Sequence, residues 1–572
     1  MPVHNADIAD LFNKVADLLE ILGENPFRIR AYRNAARTVG SLSQSIATMV
    51  EQEKDLTALQ GIGKDLAAKM EEIVKTGSFS QLQDLEDRIP PQLSRLMKIP
   101  GLGPKRVKML YDELSITTLE DLKKAAEEGK IRELKGFGEK TENMILQEIG
   151  REKKAVRIKL NVAEEVANAV VSYLRKVEGV KEAIVAGSYR RKRETVADLD
   201  VLATCSKGSK VMDAFVNYGN IDKVVAKGDT RSTLVLRSGI QMDLRVVPEE
   251  SYGAALHYFT GSKAHNIAVR TLGVKKGLKI NEYGVFKGEK LISGKREEEV
   301  FAEVGLPFIE PELREDWGEI EAGQKGNLPE LVTLKDIRGD LHAHTNATDG
   351  RHTLEQMAQA AQDRGYEYLA ITDHSKRLSM THGFDAKRLA KRNEEIDRLN
   401  GKLKRFTVLK SIEVDILDDG SLDLPDDILK ELDLTVCSVH SKFNLSREKQ
   451  MKRVLRAMDN PYFNIFAHPS GRLINEREPY NVEMEKVIEA ASERGCILEV
   501  NAHPDRLDLT DVHCKLAKER GVKVVISTDA HSVADLDLIR FGVWQARRGW
   551  LEKEDVLNTR NLDEMKKLLK RR

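Results

Sequence analysis

Asp198 and Asp200 stand one residue apart in "ADLDVLATC", an apolar run that follows the basic turn Arg190, Arg191, Lys192 and Arg193. On a strand, residues i and i+2 share a face, so the two carboxylates point the same way. Carboxylates are costly to bury unless something positive meets them. Asp243, in a second apolar run "IQMDLRVV", offers a third carboxylate. Three oxygen donors of this kind suit magnesium, which takes carboxylates together with substrate phosphates. Two such ions, roughly 3.5–4 Å apart, clamp the attacking and leaving oxygens of an in-line displacement. For the Asp198 and Asp200 pair alone, a solvated edge strand is the competing reading. The third carboxylate and the Gly187-Ser188 turn argue against it.

A second constellation lies in the C-terminal half, where ten of the thirteen histidines fall after residue 340. "DLHAHTNATDG" carries His342 and His344 on one strand face, with Asp349 close behind; "ITDHS" adds His374 and "SIEVD" adds Glu413. "CSVHSKF" brings His440, "FAHPSG" brings His468, and "STDAHS" brings Asp529 and His531. Mixed imidazole and carboxylate donors suit zinc, manganese or iron rather than magnesium alone.

Several elements must position these groups. At 572 residues the chain is long enough for roughly three to five domains. Lys+Arg equals Asp+Glu at 92 each, so no global basic excess points to a nucleic-acid partner. Two acid-free basic runs do occur: Arg95, Lys98, Lys105, Arg106 and Lys108, then Lys263, Arg270, Lys275, Lys276 and Lys279. Such runs suit phosphates or simply form solvated faces. The four scattered cysteines form no C-x-x-C pair, which fits a reducing compartment without disulfides. No stretch reaches membrane-spanning length, and the N-terminus reads as an amphipathic helix rather than a signal peptide. A cytoplasmic protein is expected.

The first 150 residues read as helices joined by short turns, in which Gly61-Ile62-Gly63, Gly101-Leu102-Gly103 and Gly136-Phe137-Gly138 repeat one pattern. Each places glycines before a new helix, whose free N–H groups suit a phosphate oxygen. From about 155 a helix is followed by the strand-like runs "EAIVAGS", "ADLDVLATC", "STLVLRS" and "IQMDLRVV". A largely helical stretch is expected to about 318, then a linker over 319–335 containing Gly323, Gly326 and Pro329. After 336, apolar runs alternate with helical patterns: "DLHAH", "YLAITDH", "FTVLKSIEVDI", "DLTVCSVH", "NIFAHP", "CILEVNAHP" and "KVVISTDAH". Seven such units predict parallel β/α packing, with an α/β barrel as the simplest closure. Active sites of α/β barrels lie at the C-terminal ends of the strands, where these histidines and acids fall.

Gly187-Ser188, the D-x-D motif and a third aspartate resemble the nucleotidyltransferase superfamily, specifically the family X DNA polymerases. "HYFTGSKAHNIAVRTLGVKKGLKINEYGVF" is similar to their thumb, and the glycine turns resemble helix-hairpin-helix elements. The histidine array resembles the PHP (polymerase and histidinol phosphatase) domain over 335–572, with all nine ligand types in order. Over the whole chain the likeness is to the bacterial PolX type. It implies a multidomain fold: helix-hairpin-helix domains at 1–90 and 91–155, an α+β palm at 156–255, a thumb at 256–318, and a (β/α)7 PHP barrel at 336–572.

By this resemblance Asp198, Asp200 and Asp243 bind Mg2+, and Asp243 also deprotonates or positions the primer 3′-hydroxyl. Gly187, Ser188 and Arg191 form the triphosphate turn, Ser188 and Arg191 holding the β- and γ-phosphates; Tyr258, Phe259 and Gly261 shape the sugar pocket, and Asn266 and Arg270 read the minor-groove edge of the nascent pair. Arg245 and Glu282 take part in thumb closure, while Gln241 departs from the arginine of animal relatives. Gly61, Gly63, Gly101, Gly103 and Lys105 contact DNA, and Lys69, with Tyr32 in its pocket, matches the lyase lysine. Phe27, Arg28 and Asp65 depart from that pattern, and Lys69 also reads as a surface charge. The nine C-terminal residues hold up to three Mn2+ or Zn2+ ions, Glu413 bridging, whereas His352, His382, His503 and His513 match no ligand position.

The implied function is gap-filling, template-directed synthesis with dNTPs on gapped or primed duplex DNA, joined to 3′→5′ degradation, in base-excision repair. Incision at abasic sites, a monomeric state and a place beside the nucleoid belong to the same expectation. The alternatives are a barrel that hydrolyses small phosphoesters, a gap-binding scaffold with a silent polymerase site, and nucleotide transfer without a template.

Overall fold

The structure, a computed structural model, describes the chain apart from residues 1, 2, 4, 43–45, 60, 87, 89–92, 98, 100, 101, 151–156, 206, 207, 571 and 572. The chain divides into two compact units, one of residues 1–185 with 197–246, the other of 186–196 with 247–572. Among the described residues no helix is long and apolar enough to cross a membrane, and all four cysteines are free thiols.

In the first unit the helices Asn5–Ile21, Pro26–Ser41, Lys64–Thr76, Pro104–Leu114, Leu119–Glu127 and Glu139–Gly150 share one apolar core. Phe12 sits at its centre, edge-on to Tyr32 and to Phe79. The glycine turns are built around their middle residues: Ile62, Leu102 and Phe137 are all buried. Gly61 has a φ of +65°, a conformation that costs any residue with a Cβ, and the next helix begins at Lys64. Asn5 donates its N–H to Glu165 at 2.8 Å, and Asn161 donates to the Gly40 carbonyl at 3.0 Å. These bonds fasten the helical part to the helix Leu160–Leu174, which precedes a sheet.

That sheet has five strands in the order Val180–Val185, Asp198–Cys205, Gln241–Val247, Arg231–Leu236, Ile221–Lys227. The four expected runs are all strands. Ile221–Lys227 is an additional edge strand, and its exposure along both faces explains why it carries no alternating apolar signal. The helices Leu160–Leu174 and Gly208–Val216 pack against the sheet.

In the second unit the helices Tyr252–Thr260, Lys263–Lys275 and Glu297–Val304 enclose Val269, Val285, Val300 and Phe301. The stretch expected to be largely helical also contains an antiparallel three-stranded sheet, Leu278–Asn281, Gly284–Lys287 and Lys290–Ser293, folded over tight turns. The predicted linker over 319–335 is corrected as well. Glu319–Lys325 is a helix, Ile320 and Leu331 enter the apolar cluster, and Val332 donates its N–H to the Leu551 carbonyl at 3.0 Å. Glycine and proline spacing signalled a break there, but buried apolar residues hold the segment down.

The strands after residue 336 are parallel. Gly339–Ala343, Tyr368–Ile371 and Thr407–Lys410 form one sheet; Glu413–Asp415, Val436–Ser438, Ile465–Phe466, Ile497–Asn501 and Val524–Ser527 form the next. The run "FTVLKSIEVDI" is thus broken at Ser411 and Ile412. First and last runs meet through the parallel bridge Ala343↔Ala530, and Asp340 accepts from the Thr528 N–H at 3.2 Å. Alternate residues enter two different cores: Tyr368, Ala370, Leu409 and Val525 one, Leu369, Ile371, Val408 and Ile526 the other. Two-sided burial explains why these strands read as continuous apolar runs, and the pairing is compatible with the expected seven-unit barrel.

Candidate active sites

The ends of the parallel strands bring all nine predicted C-terminal residues together. Glu413 is at the centre: its carboxylate lies 2.9 Å from His374, 3.1 Å from both His440 and His468, 3.5 Å from His342 and 3.6 Å from His344. Asp529 approaches His344 at 3.2 Å and His342 at 3.4 Å. Asp349 lies 3.2 Å from His374 and 3.4 Å from His531. Donor atoms converge in three groups: His344, Asp349, His374 and His531; His342, His344 and Asp529; His374, Glu413 and His440. His468 and Asp529 both adopt positive φ, 29° and 55°, strain of the kind that collects at functional sites.

Around these residues lies a supporting set that the sequence motifs did not reveal. His342 Nδ1 is 2.7 Å from Glu499, His440 Nδ1 is 3.2 Å from Asp415, and His531 Nδ1 is 2.8 Å from the Asp529 carbonyl. Each acceptor engages Nδ1, so that Nε2 faces the cluster and offers a lone pair once the ring is neutral. Glu499 Oε2 also accepts from the His468 N–H at 2.7 Å, and Asn501 donates to Asp529 at 3.2 Å. Glu499 and Asn501 stand two apart on the strand Ile497–Asn501 and so share one face.

The charges of the cluster are unusual for a protein interior. Burial disfavours a charged imidazole, but Glu413 pushes His374 up to about 9 and His440 up to about 10. Burial likewise opposes charge on His531, yet Asp349 and Asp529 push it up to about 9. His344 goes the other way, to about 4, because it is buried beside His531 and His374. Even so, His344 Nδ1 is buried without a hydrogen bond, and His342 Nε2 and His374 Nδ1 make no well-aligned one although carboxylates lie 3.4 and 2.9 Å away. Buried polar atoms left this way are costly. Six imidazoles and three carboxylates with such atoms aimed inward fit divalent cations.

In the palm sheet Asp198 and Asp200 share one half-exposed face of Asp198–Cys205 while Leu199 and Val201 are buried. Asp243 lies on the neighbouring strand, Gln241–Val247. Burial, and then the charge of Asp243, raises the Asp198 carboxyl above its ordinary range. Carboxylates that repel one another in this way also suit cations. Asp243 Oδ1 accepts from Thr233 at 2.5 Å and from Arg231 at 3.3 Å, and Oδ2 accepts from Gln241 at 2.8 Å. Gln241 therefore touches the aspartate, and a guanidinium arrives from the next strand instead. Arg231 and Thr233 had no sequence signal, since strand register decides their place.

Ser188 and Arg191 lie on the turn after Gly187, which has a φ of +60°. The Arg191 side chain is bound to Glu315 at 3.1 Å and to the Thr260 carbonyl at 2.5 Å. Tyr258 and Phe259 meet edge to face, with ring centroids 5.2 Å apart, ahead of the cis peptide Gly261-Ser262. Asn266 donates to the Tyr258 carbonyl at 2.7 Å, and Arg270 donates to the Asn266 carbonyl at 3.2 Å. Arg245 is on the last palm strand, and Glu282 is in the hairpin after Leu278–Asn281.

At the N-terminus Lys69 Nζ pairs with Asp65 and lies 5.9 Å from the Tyr32 ring. Tyr32 donates to Gln81 at 2.6 Å. Phe27 is exposed and carries Arg30 on its ring. Gly63 and Gly103 immediately precede helices, with open space where a Cβ would stand; Lys105 follows Gly103, and Gly101 and Lys98 lie outside the described residues. In the third turn Arg106 donates to the Gly136 carbonyl at 3.0 Å and stacks on Phe137.

Protein-family models match the chain in five places: a helix-hairpin-helix domain over residues 3–79, a SAM-like helix-hairpin-helix tandem over 93–151, the DNA polymerase beta palm over 157–249, the DNA polymerase beta thumb over 255–315, and the PHP domain over 340–503. Together with the two sites they define a class, a palm-and-thumb nucleotidyltransferase carrying a C-terminal PHP module. The DNA polymerase/3′-5′ exonuclease PolX of Bacillus subtilis (strain 168) is 40% identical over 574 residues, covering 100% of both chains. The chain belongs to this PolX type of family X DNA polymerases. A probable phosphatase of Thermoanaerobacter sp. (strain X514) is 30% identical over 243 residues, 40% of this chain and 94% of its own. DNA polymerase lambda of Arabidopsis thaliana is 27% identical over 350 residues, 55% of this chain and 62% of its own. The palm and PHP modules imply dependence on divalent cations. Asp529 and His531 lie beyond the matched PHP range, yet the fold carries them into the cluster.

Proposed function

We propose that this chain is a template-directed, gap-filling DNA polymerase joined to a 3′→5′ exonuclease, acting in base-excision repair and incising at abasic sites. The observation that carries the reading is the meeting of nine ligand-type side chains around Glu413 in a chain that also keeps the palm trio. Asp198, Asp200 and Asp243 would hold Mg2+, and the nine C-terminal residues would hold up to three Mn2+ or Zn2+ ions. Bound divalent cations supply Lewis acidity that activates an oxygen nucleophile and offsets charge gathering on phosphoryl oxygens.

The chain's own residues do the rest. Thr233, Gln241 and Arg231 fix the Asp243 carboxylate beside the primer hydroxyl that it deprotonates or positions. Ser188 and Arg191 take the triphosphate, Tyr258, Phe259 and Gly261 bound the sugar, and Asn266 and Arg270 read the new pair. Glu499 and Asp415 hold His342 and His440 in the tautomer that offers Nε2. The helix-hairpin-helix turns at Gly61, Gly63, Gly103 and Lys105 grip the DNA backbone. The working unit of the proposal is a monomer at the nucleoid.

A labelled, gapped duplex incubated with and without dNTPs, in Mg2+ or Mn2+, tests the reading: extension is expected with dNTPs and 3′ shortening without them. Asp198→Ala abolishes extension and spares shortening; His344→Ala does the reverse. Loss of both activities in either variant refutes two independent sites. The likeness of the C-terminal module to a probable phosphatase supports a second reading, hydrolysis of small phosphoesters. Phosphate release from such esters, with single-stranded DNA left intact, would establish it instead.

A further inference from the structure

The turn that carries Ser188 and Arg191 is fastened to the C-terminal module by buried charge. Glu315 Oε1 accepts from Arg191 Nε at 3.1 Å and from Arg548 Nη1 at 3.0 Å. The same Arg548 nitrogen donates to the Arg191 carbonyl at 2.7 Å. Arg548 closes the helix Ile539–Arg548, is 1% exposed, and binds Asp511 Oδ2 through Nε at 2.9 Å and Nη2 at 2.6 Å. Two further contacts anchor the turn. Glu194 receives a two-pronged ion pair from Arg472 at 2.6 and 3.2 Å, and Lys192 Nζ lies 4.0 Å from the Trp544 ring centroid.

One carboxylate oxygen therefore serves two guanidiniums, one from the triphosphate turn and one from the PHP module, with Arg193 at 3.6 Å. The Glu315 side chain is only 9% exposed, and a buried carboxylate stripped of its partner is strongly destabilising. A triphosphate that recruits Arg191 competes with Glu315 for its charge. With Arg548 in place, Glu315 keeps a close cation when Arg191 leaves. Without Arg548, only the more distant Arg193 shares Glu315 with Arg191, and Glu315 competes more strongly with the nucleotide.

We propose that Arg548 is a positioning residue for nucleotide binding: a PHP-module side chain that keeps Glu315 balanced so that Arg191 can engage a triphosphate. This rests on the reading of Arg191 as a phosphate ligand. It makes the C-terminal module part of the polymerase's nucleotide affinity without any role for its own metal cluster.

The test is single-nucleotide insertion on a gapped duplex by the full chain, with degradation of single-stranded DNA as control. Arg548→Ala is expected to raise the KM for dNTP about tenfold, with kcat and degradation each within about twofold of wild type. Arg548→Lys recovers part of the affinity, keeping the charge but losing the fork. Adding Glu315→Gln to Arg548→Ala returns KM to near the wild-type value, because the competing charge is gone. An unchanged KM in Arg548→Ala, while Arg191→Ala raises KM, overturns the inference alone. An unchanged KM in Arg191→Ala overturns the phosphate-ligand reading beneath it. A fall of all activities together with the melting temperature, not reversed by Glu315→Gln, assigns Arg548 a purely structural role and also overturns the inference.

Discussion

His342 Nδ1 lies 2.7 Å from Glu499 Oε1, and both side chains are fully buried. The carboxylate fixes the imidazole tautomer, and its other oxygen holds the backbone N–H of His468. Partners of this kind are worth roughly 10–100-fold in metal affinity or activity. Glu499→Gln is expected to cut 3′ degradation by that factor and to raise the Mn2+ concentration for half-maximal rate. Primer extension by the same preparation should stay at the wild-type level. Equal loss of both activities would show that Glu499 only supports folding.

Asp243 is held by three donors, of which Thr233 is the closest. Thr233→Val keeps the shape and removes one bond to a charged acceptor, a change of roughly 1.5–3 kcal/mol when fully expressed. The expected result is a kcat for extension lowered by about tenfold or more, with dNTP KM and exonuclease rate unchanged. A kinetic assay across Mg2+ concentrations separates this from metal loss. An unaltered kcat would mean that Arg231 and Gln241 suffice.

The two sites were legible in the sequence to different depths. The nine C-terminal residues were visible because most of them lie at or just beyond the ends of apolar runs, and parallel units place such ends on one side. Glu499 and Asp415 were not, because an acid inside a strand has no motif until its partner histidine is known. Asp198 and Asp200 were visible through period-two alternation, whereas Thr233 and Arg231 depended on antiparallel register that local pattern does not encode. The thumb sheet was hidden because its strands are only four residues long, too short for local alternation to show. The segment at 319–335 misled because Gly323 packs on Leu306 and Pro307 instead of loosening the chain. Arg548 carried no signal at all, since its meaning lies in Glu315, Arg191 and Asp511, far away in sequence.

Glu297 ties Arg190 to Arg314 in a buried triad. Burial opposes its charge, but the two guanidiniums win and hold its carboxyl at about 2, against 4.5 unperturbed. A depressed carboxyl contributes stability that is complete above pH 4.5 and is lost as pH falls toward 2. The shift corresponds to roughly 3 kcal/mol. Glu297→Gln should therefore be less stable than wild type at pH 7, with the difference shrinking between pH 4.5 and 2. Urea melts of the two proteins across that window measure it. A difference independent of pH would contradict the assignment.

Lys69 stands beside the buried ring of Tyr32 in the N-terminal domain. An amine at this place can add to the aldehyde of an abasic sugar, losing water to form an imine that borohydride reduces to a stable adduct. One trapped adduct is expected with a 5′-incised abasic duplex, lost in Lys69→Ala and kept in Lys64→Ala. Gap filling on an intact 5′-phosphate should be the same in all three proteins. Trapping that persists in Lys69→Ala would assign the amine elsewhere.

Removing the cations should expose the charge of the C-terminal cluster. Without them His374, His440 and His531 are held protonated up to about 9 or 10 by Glu413, Asp349 and Asp529, although burial opposes it. A histidine whose folded pKa exceeds its unfolded 6.5 stabilises fully below pH 6.5, and that contribution is lost as pH rises through the folded value. Chelator-treated protein is thus expected to lose melting temperature between pH 6.5 and 10. Mn2+ should reverse the loss, because cations need neutral imidazoles and release protons on binding. Affinity for Mn2+ should accordingly tighten as pH rises across the same window. Differential scanning calorimetry at several pH values, with and without Mn2+, provides the measurement. His374→Gln and His440→Gln should each flatten the slope of the chelated protein. A chelated protein whose melting temperature stayed level from pH 6.5 to 10 would show that the carboxylates do not hold these imidazoles charged.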